Sequence, residues 1–375
     1  MPDIRIPANL LPADGRFGSG PSKVRPEAVD ALASVAGTWM GTSHRQSPVK
    51  TVVAAVRRGA ADLLRLPEGY EVLLGNGGTT AFWDVAIFGL IEARSQHLAF
   101  GEFSSKFAAC VAAAPHLESP RVIESPPGTH PTTEAEAGVD LYALTHNETS
   151  TGVAMPLSRP DGVGGDQALV AVDATSGAGA IEYDASEVDV YYFAPQKVLA
   201  GDGGLWLAAC SPAAIERIGR LRSPARWCPP SLDLGIALDN SRLDQTYNTP
   251  ALATVFLLDQ QLQWLNGHGG LGWSSSRCRR SADTVYGWAE ASEYATPFVA
   301  EPAQRSPVVA TIDLDVTAVD AGTLSKVLRA NGIVDTEAYR KLGRNQVRVG
   351  MFPAVDPDDV AALCACIDHV VAALS

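Results

Sequence analysis

At 375 residues, 46% hydrophobic and 19% charged, the chain has room for two domains around substantial cores, and this composition excludes disorder as its default state. A formal net charge of -13 opposes general binding to nucleic acid or an anionic membrane, while leaving room for a local basic pocket around a small phosphate. The six cysteines are scattered without a C-x-x-C pair, which argues against a metal site and a disulfide framework and points to a reducing cytoplasm. No apolar run approaches the roughly 20 residues of a membrane helix, and no signal-peptide pattern opens the chain.

The opening through Pro12 holds three prolines and reads as an arm lying on the body. Arg16-Phe17-Gly18-Ser19-Gly20-Pro21 is a glycine-rich turn whose N–H groups could face an anion, and Arg25-Pro26-Glu27 opens a helix with proline early. Gly41-Thr42-Ser43-His44-Arg45-Gln46-Ser47-Pro48 gathers hydroxyls, an imidazole and a guanidinium before a helix at about 49–64. Arg45 suits bidentate recognition of phosphate or carboxylate, with His44 as a second donor; the alternative is a helix cap with solvent-facing charge.

Residues 70–74 predict a strand and 81–90 an apolar helix, joined by Gly75-Asn76-Gly77-Gly78-Thr79-Thr80. Strand, glycine turn and helix form a phosphate site in outline, because the first helical N–H groups lack partners and the macrodipole favours an anion. The run is neither a P-loop nor G-x-G-x-x-G followed by an acidic ribose partner, so ATP and NAD rank low. A strand and turn at 96–101 lead into a helix near 103, where Phe107 either stacks on an aromatic ligand or joins the core. A further strand at 139–146 ends in Asn147-Glu148-Thr149-Ser150-Thr151-Gly152, at the kind of carboxyl edge where open parallel sheets hold ligands.

Residues 168–173 form a buried strand ending in Asp173. A buried carboxylate needs a partner, and the protonated nitrogen of a pyridine ring is one; capping the next turn is the other reading. Strands at 190–193 and 205–210 then enclose Gln196-Lys197 and a glycine-rich turn. A lysine at the end of a buried strand loses hydration, which lowers its pKa and frees the neutral amine needed to carry pyridoxal phosphate. Of the six lysines, Lys23 and Lys50 sit at helix entries and Lys326 and Lys341 in the polar late chain. Lys106 is the rival, since it also follows a strand and turn, but only Lys197 has apolar flanks on both sides.

The repeated order of strand, loop and helix from about 70 to 210 predicts a mostly parallel sheet covered by helices. Tyr247-Asn248-Thr249-Pro250 precedes a helix at 251–265, and Gly267-His268-Gly269-Gly270 marks a candidate hinge. An Arg- and Ser-rich helix, strands at 308–314 and 346–350, a helix at 320–330 and a closing helix from 358 suggest a smaller α+β domain. Arg348 alternates with Val347 and Val349, so it points away from their apolar side, towards a cleft as a carboxylate clamp or towards solvent.

Taken in order, Ser19-Gly20-Pro21, Ser43-His44-Arg45, Gly77-Gly78-Thr79-Thr80, Asn147-Glu148-Thr149, Asp173, Gln196-Lys197 and Asn248-Thr249-Pro250 resemble the phosphoserine aminotransferases, in their actinobacterial form, over nearly the whole chain. The resemblance implies a class-V, fold-type I enzyme of the α/β class, dependent on pyridoxal phosphate. Its large domain, with a mostly parallel sheet of the seven-stranded type, would span 18–265, and a smaller α+β domain would combine 1–17 with 266–375. It also implies a cytoplasmic homodimer with shared active sites, serving serine biosynthesis and, by analogy, pyridoxine biosynthesis. Lys197 would carry the cofactor, Asp173 pair with its ring nitrogen, Phe107 stack on the ring and Thr149 lie near it. Gly78, Thr79 and Gln196 would hold the cofactor phosphate, joined by Asn248 and Thr249 of the partner subunit. Ser19, His44 and Arg45 would bind substrate, the latter two its phosphate across the interface, and Arg348 its α-carboxylate.

Two departures stand out. Thr79 occupies a place where some members carry arginine, and Arg340, Lys341 and Arg344 compete for the role of a second basic residue before Arg348. The implied reaction moves the amino group of glutamate onto 3-phosphohydroxypyruvate, giving O-phospho-L-serine and 2-oxoglutarate. A serine- or alanine-glyoxylate aminotransferase shares the Ser-Gly-Pro opening but needs no phosphate clamp. A cysteine desulfurase would carry histidine where Gln196 stands, and a non-catalytic binder of small molecules would leave Lys197 idle.

Overall fold

The computed structural model describes residues 4–222 and 226–374. Short runs rich in β-branched, aromatic and small apolar residues become strands: β1 (Glu71–Asn76), β2 (Ser95–Ala99), β3 (Arg121–Glu124), β4 (Leu141–Thr145), β5 (Asn147–Glu148), β6 (Val153–Ala154), β7 (Leu169–Asp173), β8 (Val190–Phe193) and β9 (Leu205–Cys210). Seven of them form one sheet in the order β1-β9-β8-β7-β4-β2-β3, while β5 and β6 make a small antiparallel hairpin. Strands β3, β2, β4, β7 and β8 are parallel, and β9 runs antiparallel to both β8 and β1. The reversal follows from the link between β8 and β9, which carries no helix and is too short for a crossover. The mostly parallel sheet expected from the repeated pattern is therefore present, and the strand after Lys197 is its exception.

Helices α1 (Pro26–Trp39), α2 (Ser47–Leu63), α3 (Gly78–Gly89), α4 (Glu102–Ala112), α5 (Pro212–Leu221), α6 (Leu234–Arg242) and α7 (Leu252–Gly267) cover this sheet. Alternation sorts the strands between two cores. Val170 and Val172 of β7 face the layer of α2 and α7, with Val53 and Leu258, whereas Leu169 and Ala171 face the layer of α3 to α6, with Phe82 and Ile218. Each fully buried Leu, Val or Phe side chain contributes about 1.5–3 kcal/mol.

A third core surrounds the antiparallel sheet β10 (Ala295–Pro297), β11 (Val309–Leu314) and β12 (Gln346–Gly350), packed by α8 (Gly270–Ala291), α9 (Ala321–Ala330) and α10 (Pro357–Leu374). Ile6 and Phe17 of the N-terminal arm insert into it, and the arm is tied down by Gly350 N–H to Phe17 O at 2.8 Å and Ala13 N–H to Asp359 Oδ1 at 2.7 Å. The first three residues of the arm lie outside the described residues. The glycine cluster at 267–270 is the tight turn between α7 and α8, where Gly269 has φ 118 and Gly270 φ 64, and Trp264 and Trp273 pack edge to face across it at 5.0 Å.

Candidate active site

Because β1, β4, β7 and β8 all point the same way, the segments that follow them converge on one edge of the sheet. A cavity of about 320 Å³ opens there, walled by the first turns of α3, by Thr145 at the end of β4 with Asn147 and Thr149 beyond it, by Asp173 at the end of β7 with Ser176 beyond it, and by Gln196 and Lys197 after β8. Gly20 and Pro21 of the N-terminal segment close it.

Lys197 donates from Nζ to the carbonyl of Ser19 at 2.5 Å, while Ser22 Oγ donates to the Lys197 carbonyl at 2.5 Å. Burial and then the nearby positive charge of Arg348 lower its pKa to about 8, against the opposing pull of Asp173 and Glu148. Gly20 makes this approach feasible. Its φ is 146, and a Cβ at that position would lie 1.9 Å from Lys197 Nζ. The rival Lys106 lies outside the cavity, half-exposed and paired with Glu102 at 3.0 Å one turn earlier.

Asp173 is buried at the end of β7. Its Oδ1 accepts from Thr175 N at 3.0 Å and from Thr175 Oγ1 at 2.5 Å, and Oδ2 accepts from Trp83 Nε1 at 3.3 Å. Desolvation raises its pKa, and these bonds and Lys197 oppose the rise. Oδ1 caps the next turn, and the residue also lines the cavity. Thr149 Oγ1 donates to Ser176 Oγ at 2.8 Å, and the Thr149 carbonyl accepts from Arg348 Nη1 at 3.2 Å. Arg348 is accordingly turned inward, with its guanidinium over the Tyr339 ring at 5.4 Å and its Nε buried without a partner.

At the start of α3, Gly77 adopts φ 113 and Gly78 φ 73, and the chain turns so that Thr79 and Thr80 face the cavity. The Gly77 N–H is satisfied by the Gly204 carbonyl, which leaves the first helical N–H groups to meet an anion. The oxygen of the Gln196 amide and Oγ of Ser19 are buried near Lys197 without partners.

Phe107 does not line the cavity. It is buried between sheet and helix, stacked on Trp83 at 6.1 Å and edge-on to His97 at 4.8 Å. The aromatics that do line it are Phe103, one turn earlier on α4, and Trp83. Where α4 begins decides this, because a residue of the first turn sits at the sheet edge and one a turn later faces the sheet. Trp83 was legible in principle: it follows Thr79 by four residues on a helix, hence on the same face.

His44, Arg45, Asn248 and Thr249 are also absent from the cavity wall. They form a separate cluster in which His44 Nδ1 meets Thr249 Oγ1 at 3.3 Å and Asn76 Nδ2 donates to Asn248 Oδ1 at 2.8 Å. His44 Nε2 is buried without a partner, its pKa lowered by burial and by Arg45, and Arg45 itself is exposed. Among the three competing basic residues, Arg344 is held bidentately by Asp313 and Arg340 is exposed, whereas Lys341 pairs with Glu102 beside Phe103. Among the described residues, no group of three His, Cys, Asp or Glu side chains is placed to hold a metal ion.

Residues 17–337 match the family model of the class-V aminotransferases. The chain belongs to that family. It is 60% identical over 369 residues to phosphoserine aminotransferases of Rhodococcus jostii and Rhodococcus opacus, an alignment that covers 98% of this chain and 98% of each relative. A solved phosphoserine aminotransferase from Cytophaga hutchinsonii superposes with a TM-score of 0.86 at 23% identity, covering 95% of this chain and 99% of that one. At that identity the superposition speaks for the fold, which is that of the fold-type I enzymes dependent on pyridoxal phosphate. Lys197 and Asp173 both stand on the wall of this cavity.

Proposed function

We propose that the chain transfers the amino group between L-glutamate and 3-phosphohydroxypyruvate, giving O-phospho-L-serine and 2-oxoglutarate. The observation that carries this is the pairing of Lys197 and Asp173 across one cavity, in a chain 60% identical to phosphoserine aminotransferases over nearly its full length. The residues present fit pyridoxal phosphate. A lysine with a pKa near 8, a buried carboxylate oxygen with a single long hydrogen bond, unpaired polar atoms on Gln196 and Ser19, and a glycine-led helix start surround a space of suitable size.

When bound, that cofactor supplies an aromatic ring that draws electrons away from the substrate Cα. Lys197 would hold it, and its amine would move the proton at the substrate Cα as base and then acid. Asp173 would keep a proton on the ring nitrogen. Thr79, Thr80 and Gln196, with the N–H groups after Gly78, would hold the phosphate, and Phe103 and Trp83, which line the cavity, would supply the aromatic contact assigned from sequence to Phe107. Thr149 lines the cavity, and Ser19, bonded to Lys197, and Arg348, bonded to the Thr149 carbonyl, stand just behind its wall, from where Arg348 would orient the α-carboxylate.

His44, Arg45, Asn248 and Thr249 are best accounted for in a homodimer, completing the cavity of the partner subunit. The buried, unpaired Nε2 of His44 and the exposed apolar side chains of Met40 and Tyr247 beside the cluster support this. The phosphate clamp favours a phosphorylated substrate over serine or alanine with glyoxylate. We also place the larger unit at 18–265 and the smaller at 1–17 with 266–375, following the two sheets and their cores. A cytoplasmic setting accords with six cysteines that form no disulfide; among the described residues no helix is long and apolar enough to cross a membrane.

The test is to add phosphoserine, serine, alanine or glutamate separately to the yellow enzyme and follow the cofactor band. Phosphoserine and glutamate should bleach it. Equal bleaching by serine or alanine would transfer the reading to a glyoxylate aminotransferase, and absence of the band to a non-catalytic binder.

A further inference from the structure

The Asn-Glu-Thr segment contains a carboxylate to which the reaction assigns no part. Glu148 is fully buried in β5, and its carboxylate accepts five hydrogen bonds. Oε2 takes them from Phe103 N at 3.1 Å, Ser104 N at 3.0 Å and Ser104 Oγ at 3.0 Å. Oε1 takes them from Ser150 N at 3.2 Å and Ser150 Oγ at 2.7 Å. Ser150 Oγ in turn accepts from Glu102 N at 3.0 Å. Three of the five contacts come from backbone N–H groups, which can only donate, and a carboxylate oxygen is their natural acceptor.

The arrangement follows from the residue that precedes α4. A helix start leaves its first N–H groups unsatisfied, and an N-cap side chain usually accepts from the second or third. Gly101 occupies that position and has no side chain. Its bareness is required, since a Cβ there would lie 2.3 Å from Glu148 Cγ and 2.7 Å from Ser150 Oγ. Glu148 therefore supplies the cap from 47 residues away in sequence, on the N–H groups of Phe103 and Ser104. Phe103 is the α4 residue whose side chain enters the cavity wall. Its ring also meets Tyr339 at 6.2 Å, and Tyr339 lies under Arg348.

We propose that Glu148 is a positioning residue, whose carboxylate caps α4 from across the sheet edge and thereby sets the ring of Phe103 against the cofactor. The proposal rests on the reading of the cavity as a pyridoxal phosphate site. Burial raises the pKa of Glu148, and the hydrogen bonds from Ser104 and Ser150 oppose that rise.

A double-mutant cycle on cofactor affinity tests it, with apoenzyme titrated by pyridoxal phosphate and followed by tryptophan fluorescence. Glu148→Gln keeps the size but turns an amide donor onto N–H groups. It should weaken binding about tenfold in the native background and less than about twofold in Phe103→Ala, because the lost positioning then has nothing to act on. Equal weakening in both backgrounds would show a general structural role, and an unchanged affinity in Glu148→Gln would show none; either overturns the proposal. Should Glu148→Gln fail to fold, Ser150→Ala, which removes the hydroxyl donor from Oε1 and the acceptor of the Glu102 N–H, takes its place in the same cycle with the same outcomes. Wild-type apoenzyme that does not bind pyridoxal phosphate would instead overturn the underlying functional reading, and the proposal with it.

Discussion

Replacing Lys197 by methionine should stabilise the cofactor-free protein at neutral pH, and the gain should fade as the solution becomes alkaline. Methionine has nearly the same length and no charge, so it fills the same space without the cost of burying an ammonium group. The folded pKa of Lys197 falls from 10.5 to about 8, chiefly by desolvation and secondarily by Arg348. Between those two values the unfolded chain binds a proton that the folded chain does not, so wild-type stability rises with pH across that window. At about 1.4 kcal/mol per unit, the penalty amounts to about 3 kcal/mol below pH 8 and vanishes above 10.5. The assay is paired melting of apo wild type and apo Lys197→Met at half-unit steps from pH 7 to 10.5. The advantage of the variant should be constant up to about pH 8 and then shrink steadily. A gap independent of pH, or one that widens, would refute the account of Lys197 as a desolvated amine.

The remaining expectations concern its neighbours. Gly20→Ala places a methyl on Lys197 Nζ and forces an alanine to φ 146; cofactor loading should collapse, and about 3–5 kcal/mol of apoprotein stability should be lost through backbone strain and the broken bond to Ser19, read by thermal melting and absorbance. Phe103→Ala should weaken cofactor binding with little effect on melting, whereas Phe107→Ala should cost about 3–5 kcal/mol of stability by leaving a cavity between Trp83 and His97. Similar behaviour of the two would contradict their assignment to wall and core. Arg45→Ala should reduce kcat/KM for phosphoserine at least about tenfold while changing that for unphosphorylated serine little, as expected when a charge-assisted contact to one substrate group is lost. Equal losses would argue against a phosphate role.

Much of the site is readable along the chain because local physics writes it there. Gly77-Gly78-Thr79-Thr80 after an apolar strand can hardly be anything but a strand-to-helix turn, and the run from 190 to 210 declares two strands around a lysine and glycines. These are short-range statements about periodicity and backbone freedom, and the elements lie within a few residues of their expected bounds. Strand β3 was not legible, since its four residues lie at the sheet edge and carry too little pattern.

What the sequence by itself determined was the order of the chemical groups and the family they belong to, with Asp173 and Lys197 following two apolar strands. Only the tertiary structure decided which aromatic ring of α4 enters the cavity, which oxygen of Asp173 caps a turn, and that Glu148 is the missing cap of α4. How far along the axis each ring of α4 sits is set by where the first turn starts, and that start is fixed here by a glycine and by a carboxylate distant in sequence. No window of neighbouring residues contains that contact; it exists only once parallel strands bring their carboxyl ends to one edge.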